Sequence, residues 1–164
     1  MGNSGMQQEL ANLGGGAHAL AIQILGNSDE AADAVHDAFA RVLARPAAYR
    51  PRRGPLKPWF LRIVRNHCLD LLRRRRAGDS NVDQLADPGL QPDSRLELEQ
   101  RDERLRRALA RLGGEQRQIL VLRDYLDLTY AEIAGVLQVA PGTVMSRLHR
   151  ARLALRETLN AYEG

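Results

Sequence analysis

The sequence predicts an all-α protein built from two small helical domains joined by a flexible linker, the second domain containing a helix-turn-helix. Apolar residues recur at helical spacing, aromatic residues make up only 4% of the 164 positions, and no long β-branched alternation indicates strands. A chain of this length accommodates one ordinary domain or two small helical ones. We place the first domain at residues 17–77, an acidic linker at 78–103 and the second domain at 104–164.

Charge is unevenly distributed along the chain. Residues 1–77 carry 12 basic and 6 acidic side chains, residues 78–103 carry 2 and 8, and residues 104–164 carry 10 and 6. Two basic blocks separated by an acidic one predict two surfaces for a polyanion, joined by a segment that avoids it. No apolar run approaches the roughly 18 residues that span a bilayer. The N-terminus also lacks the features of a signal peptide, so we expect a cytoplasmic protein without membrane insertion.

The N-terminal segment, residues 1–16, is rich in Gly and Asn, and we expect it to be poorly ordered. Helical periodicity begins near Ala17. It ends at Gly26, which suits a helix C-cap because glycine tolerates a left-handed backbone. Either Asn27 or Ser28 can then supply the N-cap of the second helix.

The second helix is amphipathic and extends to about Ala44. Its predicted buried stripe comprises Val35, Ala38, Phe39, Val42 and Leu43. The opposite face carries Asp33, His36, Asp37 and Arg41. An acidic exposed face is usually only solvated. A metal or catalytic pair of His36 and Asp37 is disfavoured, because adjacent helical residues point about 100° apart and no further ligand stands at i+4.

An Arg-, Pro- and Gly-rich loop leads to the longest clear helix, which we expect to begin at Pro58. Its apolar stripe comprises Trp59, Phe60, Ile63, Val64, Cys68, Leu71 and Leu72. The opposite side carries Arg62, Arg65, Asn66, Asp70 and Arg73, followed by Arg74, Arg75 and Arg76. Four successive arginines exceed what a helix C-terminus requires, so this side is predicted to bind phosphates. Cys68 is the single cysteine, which excludes an internal disulfide, and its apolar neighbours predict a core position.

Residues 78–92 combine Gly, Pro, Asp and Asn with few apolar residues, which is typical of a flexible linker. A second block of helical periodicity follows. Its apolar positions are Leu105, Leu109 and Leu112, and then Ile119, Leu120, Leu122 and Leu126 after a break at Gly113 and Gly114. This block leads directly to the C-terminal motif.

The C-terminal motif has the pattern of a helix-turn-helix. Thr129 and Glu132 are spaced as a capping box, which satisfies two backbone N–H groups at a helix start. The first helix is predicted from Tyr130 to about Leu137, and Pro141 suits the first position of the second helix. The second helix buries Val144, Leu148, Ala151 and Leu155 and presents Thr143, Ser146, Arg147 and Arg150. A basic second helix fits the DNA major groove, although a helical hairpin with a solvated basic face has the same pattern.

These motifs together resemble an extracytoplasmic-function sigma factor of the bacterial sigma-70 family. The C-terminal match is Leu128-Thr-Tyr-Ala-Glu-Ile-Ala, then Pro141-Gly-Thr-Val-Met-Ser-Arg-Leu-His-Arg-Ala-Arg. It is similar to the family's region 4, which reads the promoter −35 element. The N-terminal match is Asp33-Ala-Val-His-Asp-Ala-Phe, then Pro58-Trp-Phe-Leu-Arg-Ile-Val-Arg-Asn and Asp70-Leu-Leu-Arg-Arg-Arg-Arg. It is similar to region 2, which docks on RNA polymerase and opens the −10 element.

The resemblance implies roles for residues of both domains. The resemblance assigns contacts with the −35 element to Thr143, Ser146, Arg147, Arg150 and Arg152. Among these, Arg147 is the first choice for a base contact, and Arg152 meets phosphate or pairs within the protein. Contacts with the −10 element fall to Arg62, Arg65, Asn66, Asp70, Arg73 and Arg74. Contacts with the clamp helices of the largest polymerase subunit fall to Asp33, His36 and Asp37.

The same resemblance implies core RNA polymerase, promoter DNA and an anti-sigma factor as partners. It implies no cofactor, no metal and no catalytic residue, because a sigma factor acts by binding coupled to strand separation. Two other classes remain open from the residues alone. A DNA-binding regulator would need only the helix-turn-helix and usually dimerises. An enzyme acting on nucleic acid would need a carboxylate cluster or metal motif, and the sequence has neither.

The chain departs from the family pattern at several positions. Met145 stands where the family usually has a basic residue, and His36 replaces the commoner Gln. Gln138 stands where the turn often has Gly. If the backbone there has a positive φ, glutamine costs on the order of 1 kcal/mol. These departures bear on affinity and promoter choice.

Overall fold

The computed structural model describes residues 3–78 and 103–161, and every regular element in those residues is helical. The N-terminal domain contains α1 (Asn3–Leu25), α2 (Ser28–Ala44) and α3 (Leu56–Gly78), and the C-terminal domain contains α4 (Glu103–Ala110), α5 (Gly114–Leu120), α6 (Tyr130–Leu137) and α7 (Pro141–Ala161). The predicted all-α fold with two helical domains is confirmed. The predicted linker lies almost wholly outside the described residues. None of the described helices is long and apolar enough to cross a membrane.

Helix α1 contradicts the expected disorder of the N-terminal segment, because it begins at Asn3. Met6, Leu10 and Leu13 lie at helical spacing, and all three pack on the core. Glycines in this helix lower its intrinsic propensity, so burial against the other helices must stabilise it. The predicted C-cap is confirmed, since Gly26 has a φ of 76°.

Helix α2 is capped by Asn27, whose Oδ1 accepts a hydrogen bond from Glu30 N over 3.0 Å. Three predicted stripe residues are buried and a fourth is half-buried: Val35, Ala38 and Val42, and then Phe39. The prediction is wrong for Leu43, which is 38% exposed. Leu43 follows Val42 by one position, so it points about 100° away from the centre of the stripe.

Helix α3 begins at Leu56, two residues before the predicted start. Pro58 therefore occupies the third position, where an N–H would have no intrahelical partner. Phe60 stacks on Phe39 of α2 with ring centroids 5.0 Å apart. Cys68 is buried as predicted, and burial raises the pKa of its thiol to about 12.

The helix boundaries of the C-terminal domain follow the break and capping residues that the sequence predicted. Gly113 ends the first segment and precedes α5. Thr129 and Glu132 form the predicted capping box, with reciprocal hydrogen bonds of 3.1 and 2.9 Å. A π-helical turn over Val121–Tyr125 was not predicted. Gln138 ends α6 with φ 58° and ψ 48°, so the left-handed backbone considered for this turn is present.

The two domains pack against each other through one continuous core. Helix α3 contacts α6, and α1 contacts both α5 and the π-helical turn. The sequence patterns on either side of the linker did not predict this contact, which we call the closed arrangement. It determines how the two candidate DNA-binding faces are exposed.

Candidate nucleic-acid interface

The outer face of α7 carries four of the residues predicted for the −35 element. Ser146 and Arg150 are exposed, whereas Thr143 and Arg147 are half-buried. Their spacing places all four on one face over two helical turns. Ser146 Oγ donates to the Thr143 carbonyl over 3.1 Å, and Arg150 Nε approaches the Ser146 carbonyl at 3.4 Å. The opposite face is buried at Val144, which anchors α7 in the domain core.

Arg152 is separated from this face. It lies five residues after Arg147, which is about 140° around the helix. Its guanidinium pairs with Asp124 at the π-helical turn, through Nη2–Oδ1 at 2.5 Å and Nε–Oδ2 at 3.3 Å. The hydrogen bond to Asp124 raises the pKa of Arg152. Of the two roles expected for Arg152, phosphate contact or pairing within the protein, the structure shows the pairing.

The polar side of α3 carries the residues predicted for the −10 element. The side chains of Arg62, Asp70, Arg73 and Arg74 are exposed, and those of Arg65 and Asn66 are half-buried. Asp70 forms an ion pair with Arg73, with Nη1 and Oδ1 3.0 Å apart. Arg75 pairs with Glu30 at the start of α2. The basic side of α3 is thus contiguous, but two of its arginines already hold carboxylates.

Arg65 connects this side of α3 to the other domain. Its Nε donates to Gln118 Oε1 of α5 over 2.7 Å. Burial lowers the pKa of Arg65; the charge of Glu115 raises it, and the charges of Arg147 and Arg73 lower it further. A residue of the −35 set therefore lies close to a residue of the −10 set. The sequence, which places them 82 positions apart, gives no sign of this.

The loop between α2 and α3 adds residues that sequence reasoning did not single out. It forms two 3₁₀ turns, and with the start of α3 it lines a cavity of about 740 Å³. Tyr49 and Trp59 stand side by side there, with ring centroids 5.0 Å apart, and Tyr49 Oη donates to the Gly54 carbonyl. Arg50, Arg53 and Arg62 also line the cavity. These residues could have been found from the sequence, because aromatic residues interleaved with arginines are typical of a nucleic-acid-binding surface.

The third candidate surface lies on α2, where Asp33, His36 and Asp37 are all exposed. Asp37 is additionally approached by His67 of α3, whose Nε2 is 3.4 Å from Oδ2. His67 is almost fully buried, whereas the Asp37 side chain is 62% exposed. His67 was not predicted, because the two residues are 30 positions apart and lie on different helices. The contact links the acidic face to the helix assigned to the −10 element.

Family models match both parts of the chain. The sigma-70 region 2 model matches residues 12–78, and the sigma-70 region 4 model matches residues 102–155. The ECF RNA polymerase sigma factor SigE of Mycolicibacterium smegmatis is 36% identical over 152 residues. That match covers 87% of this chain but only 56% of the relative's length. The ECF RNA polymerase sigma factor EcfG of Rhodopseudomonas palustris is 34% identical, and the match covers 86% of this chain and 77% of the relative.

A solved structure agrees with these matches. The sigma factor RpoE from Bartonella quintana, determined in complex with the anti-sigma factor NepR, superimposes with a TM-score of 0.77 at 27% sequence identity. The superposition covers 94% of this chain and 96% of that chain, so it includes both domains. The two sigma regions thus follow one another in this chain in the family's order, region 2 before region 4. The chain belongs to the extracytoplasmic-function sigma factors of the sigma-70 family.

Proposed function

We propose that this chain directs promoter recognition and transcription initiation by binding core RNA polymerase, −35 DNA and melted −10 DNA. The observation that carries the proposal is the presence of both sigma regions, in order, in one chain. The exposed faces of α2, α3 and α7 supply a candidate surface for each of the three partners. The action is binding coupled to strand separation, so no enzymatic chemistry is assigned to the chain.

The face of α7 is proposed to read the −35 major groove. Arg147 has a planar guanidinium that can form two hydrogen bonds with guanine O6 and N7. Thr143 lies one turn before it and Ser146 directly precedes it, and both are suited to phosphate or base contacts. Arg150 extends the same face by one more turn. Arg152 is proposed to act by holding α7 against Asp124, with phosphate contact as a second role.

The polar side of α3 is proposed to hold the melted −10 strand. Arg62, Arg73 and Arg74 are exposed cations suited to phosphates. Asn66 offers both a donor and an acceptor to the edge of an unstacked base. Capturing such a base offsets the few kcal/mol that unpairing costs, so melting needs no nucleotide hydrolysis. Arg65 and Asp70 are proposed to shape this surface from either side of Asn66.

The remaining partners meet other surfaces. The exposed residues Asp33, His36 and Asp37 are proposed to dock on the clamp helices of the largest polymerase subunit. We infer a cytoplasmic protein, because that is where polymerase and promoter DNA are. An anti-sigma factor is a further proposed partner, supported by the likeness to RpoE, whose structure contains one.

The experiment that tests the −10 assignment replaces Asn66 with alanine. Asn66→Ala should leave folding and core binding nearly unchanged while impairing promoter opening, because the flipped base loses its hydrogen-bonding partner. Permanganate reactivity of promoter thymines reports the opening directly. Asn160→Ala is the matched control, since Asn160 is an exposed asparagine of α7 away from this face.

A second template sharpens that experiment. A promoter whose −10 base pairs are already mismatched should recover much of the activity of Asn66→Ala, because the unpairing cost is already met. If Asn66→Ala melts the fully paired promoter like the wild-type chain, the assignment of Asn66 to the −10 element is wrong.

A further inference from the structure

The cavity beside the loop between α2 and α3 has the size of a small-molecule site. Its volume is about 740 Å³, and such sites enclose about 300–1,000 Å³. Apart from Arg62, none of its lining residues has a role in the proposed function. The loop and the start of α3 supply two aromatic rings and three arginines, and α6 supplies a further part of the wall, which includes the carboxylate of Glu132. These groups together favour a ligand that is both aromatic and anionic.

The two rings form a platform that is in place before a ligand arrives. Tyr49 and Trp59 are both half-buried, with ring centroids 5.0 Å apart and ring planes inclined by 47°. Tyr49 Oη donates to the Gly54 carbonyl over 2.9 Å, which holds the phenol ring in the loop. Nucleobases stack on such rings whatever their identity, because every base has a π-face. The platform therefore suits the base of a nucleotide.

The three arginines concentrate positive charge in the cavity. Arg50, Arg53 and Arg62 are exposed, and none of them pairs with a carboxylate of residues 3–78 or 103–161. By contrast, Arg73 and Arg75, further along α3, each hold a carboxylate. A guanidinium donates two parallel hydrogen bonds to a phosphate, and these charge-assisted bonds are among the strongest in proteins. Three such cations in one cavity therefore favour a ligand with more than one phosphate.

Glu132 is the single carboxylate among the described residues that line the cavity. It would repel a phosphate, so it must meet another part of the ligand. Its Oε1 accepts a hydrogen bond from Thr129 N over 2.9 Å in the capping box, which leaves acceptor positions on both carboxylate oxygens. Guanine presents two adjacent donors, N1–H and the N2 amino group, whereas the corresponding edge of adenine presents only its amino group. A carboxylate in the same cavity as the aromatic platform therefore favours guanine.

We propose that this cavity binds a free guanine nucleotide that carries two or three phosphates. The base stacks on Trp59 and donates from its N1–H and amino edge to Glu132. The phosphates accept hydrogen bonds from Arg50, Arg53 and Arg62. A nucleotide within a melted DNA strand has the same chemistry, but a strand continues in both directions, and α6 contributes part of the cavity wall. A free nucleotide ends at its phosphates, so it fits within such a wall.

Trp59 makes the test specific, because it is the only tryptophan of the chain. A base stacked on it should quench its fluorescence, so titrating the full chain with GDP, without polymerase or DNA, reports occupancy of this cavity. GDP should quench saturably, and ADP should need a concentration on the order of tenfold higher, because it makes one hydrogen bond fewer to Glu132. Glu132→Gln keeps the capping box, which accepts either residue, but loses one acceptor oxygen. That variant should bind GDP and ADP equally.

Two pairs of variants locate the ligand. Arg53→Gln should raise the Kd for GDP on the order of tenfold, because it removes a charged phosphate contact. Arg52→Gln is its matched control, since Arg52 is an exposed arginine of the same 3₁₀ turn that does not line the cavity. Gly135→Phe should abolish quenching: Gly135 lines the cavity, and a Cβ added there meets nothing within 4 Å, so the ring occupies the space of the ligand. Gly15→Phe adds the same ring outside the cavity, at an exposed helical glycine whose added Cβ also meets nothing within 4 Å.

Each outcome decides part of the proposal. Quenching by GDP that Arg53→Gln weakens and Gly135→Phe abolishes, with both controls like the wild-type chain, supports the site; if Gly135→Phe does not fold, the two arginine variants decide. No saturable quenching by GDP up to about 1 mM, or equal affinities of Arg53→Gln and Arg52→Gln, would overturn the site. Equal affinities of the wild-type chain for GDP and ADP would overturn the choice of guanine. Quenching by a single-stranded oligonucleotide but not by GDP would overturn the free nucleotide as the occupant. No readout involves a promoter, so these results are independent of the proposed function.

Discussion

Replacing Gln138 with glycine should stabilise the protein, because the turn of the helix-turn-helix holds a side chain in a backbone region that glycine occupies without steric cost. Gln138 has φ 58° and ψ 48°, and its N–H donates to the Ala134 carbonyl at the end of α6. A Cβ in this conformation costs roughly 1–2 kcal/mol. Glycine also gains freedom in the unfolded chain, which offsets about 0.4–1 kcal/mol. The expected net gain in unfolding free energy is about 0.5–1 kcal/mol.

Differential scanning calorimetry measures this gain as a rise in Tm. For a chain of this size, about 1 kcal/mol corresponds to roughly 2–4 °C. The control is Gln138→Ala, which removes the same exposed side chain but keeps the Cβ, so it should give no gain. Gly135→Ala provides the opposite test within α6, because Gly135 is an exposed helical residue whose added Cβ meets nothing within 4 Å. It should stabilise by about 0.5–1 kcal/mol.

The comparison of the glycine and alanine variants at position 138 decides whether the Cβ matters. Equal effects of Gln138→Gly and Gln138→Ala would refute the reasoning, because the Cβ would then be irrelevant. The backbone hydrogen bond to Ala134 is retained in both variants, so affinity for −35 DNA should change little in either. A loss of affinity in both variants would mean that the glutamine side chain itself has a role at the DNA.

Two further predictions concern the two domains separately. Arg147→Ala should weaken use of a −35-dependent promoter by about 1–3 kcal/mol, the value of a bidentate base contact, while binding to core polymerase in a pull-down stays unchanged; equal loss in both would contradict the role. Cys68, with its thiol pKa raised to about 12, should react slowly with a thiol reagent at pH 8 in the folded protein and quickly once denatured. Because burial favours the neutral thiol, its contribution to stability is complete below about pH 8.5 and decreases as pH rises toward 12; rapid labelling of the folded protein would show that Cys68 is accessible.

Local signals in the sequence predicted most of the C-terminal domain. The capping box at Thr129 and Glu132 and the proline at Pro141 act within one helical turn, so their consequences do not depend on the rest of the fold. The bounds of α6 and the start of α7 agree with the prediction. The candidate DNA-binding faces could also be predicted from the sequence, because the polar face of an amphipathic helix points away from the core.

Features that depend on distant residues could not be predicted. The order of the N-terminal segment depends on burial of residues such as Leu10 against the other helices, which outweighs low helix propensity. Arg152 meets Asp124 across 28 positions, and Lys57 meets Leu126 across 69. No periodicity within a helix encodes such pairs. The closed arrangement therefore required the structure.

Run-off transcription with core polymerase tests the central claim most directly. On genomic fragments, the chain with core enzyme should produce discrete transcripts that core enzyme alone does not, each starting downstream of shared −35 and −10 sequences. Combining Arg147→Ala with Asn66→Ala should abolish these transcripts while the doubly substituted chain still binds core polymerase. If the wild-type chain binds core enzyme and yields no promoter-specific transcript on any fragment, the assignment of this chain to transcription initiation is contradicted.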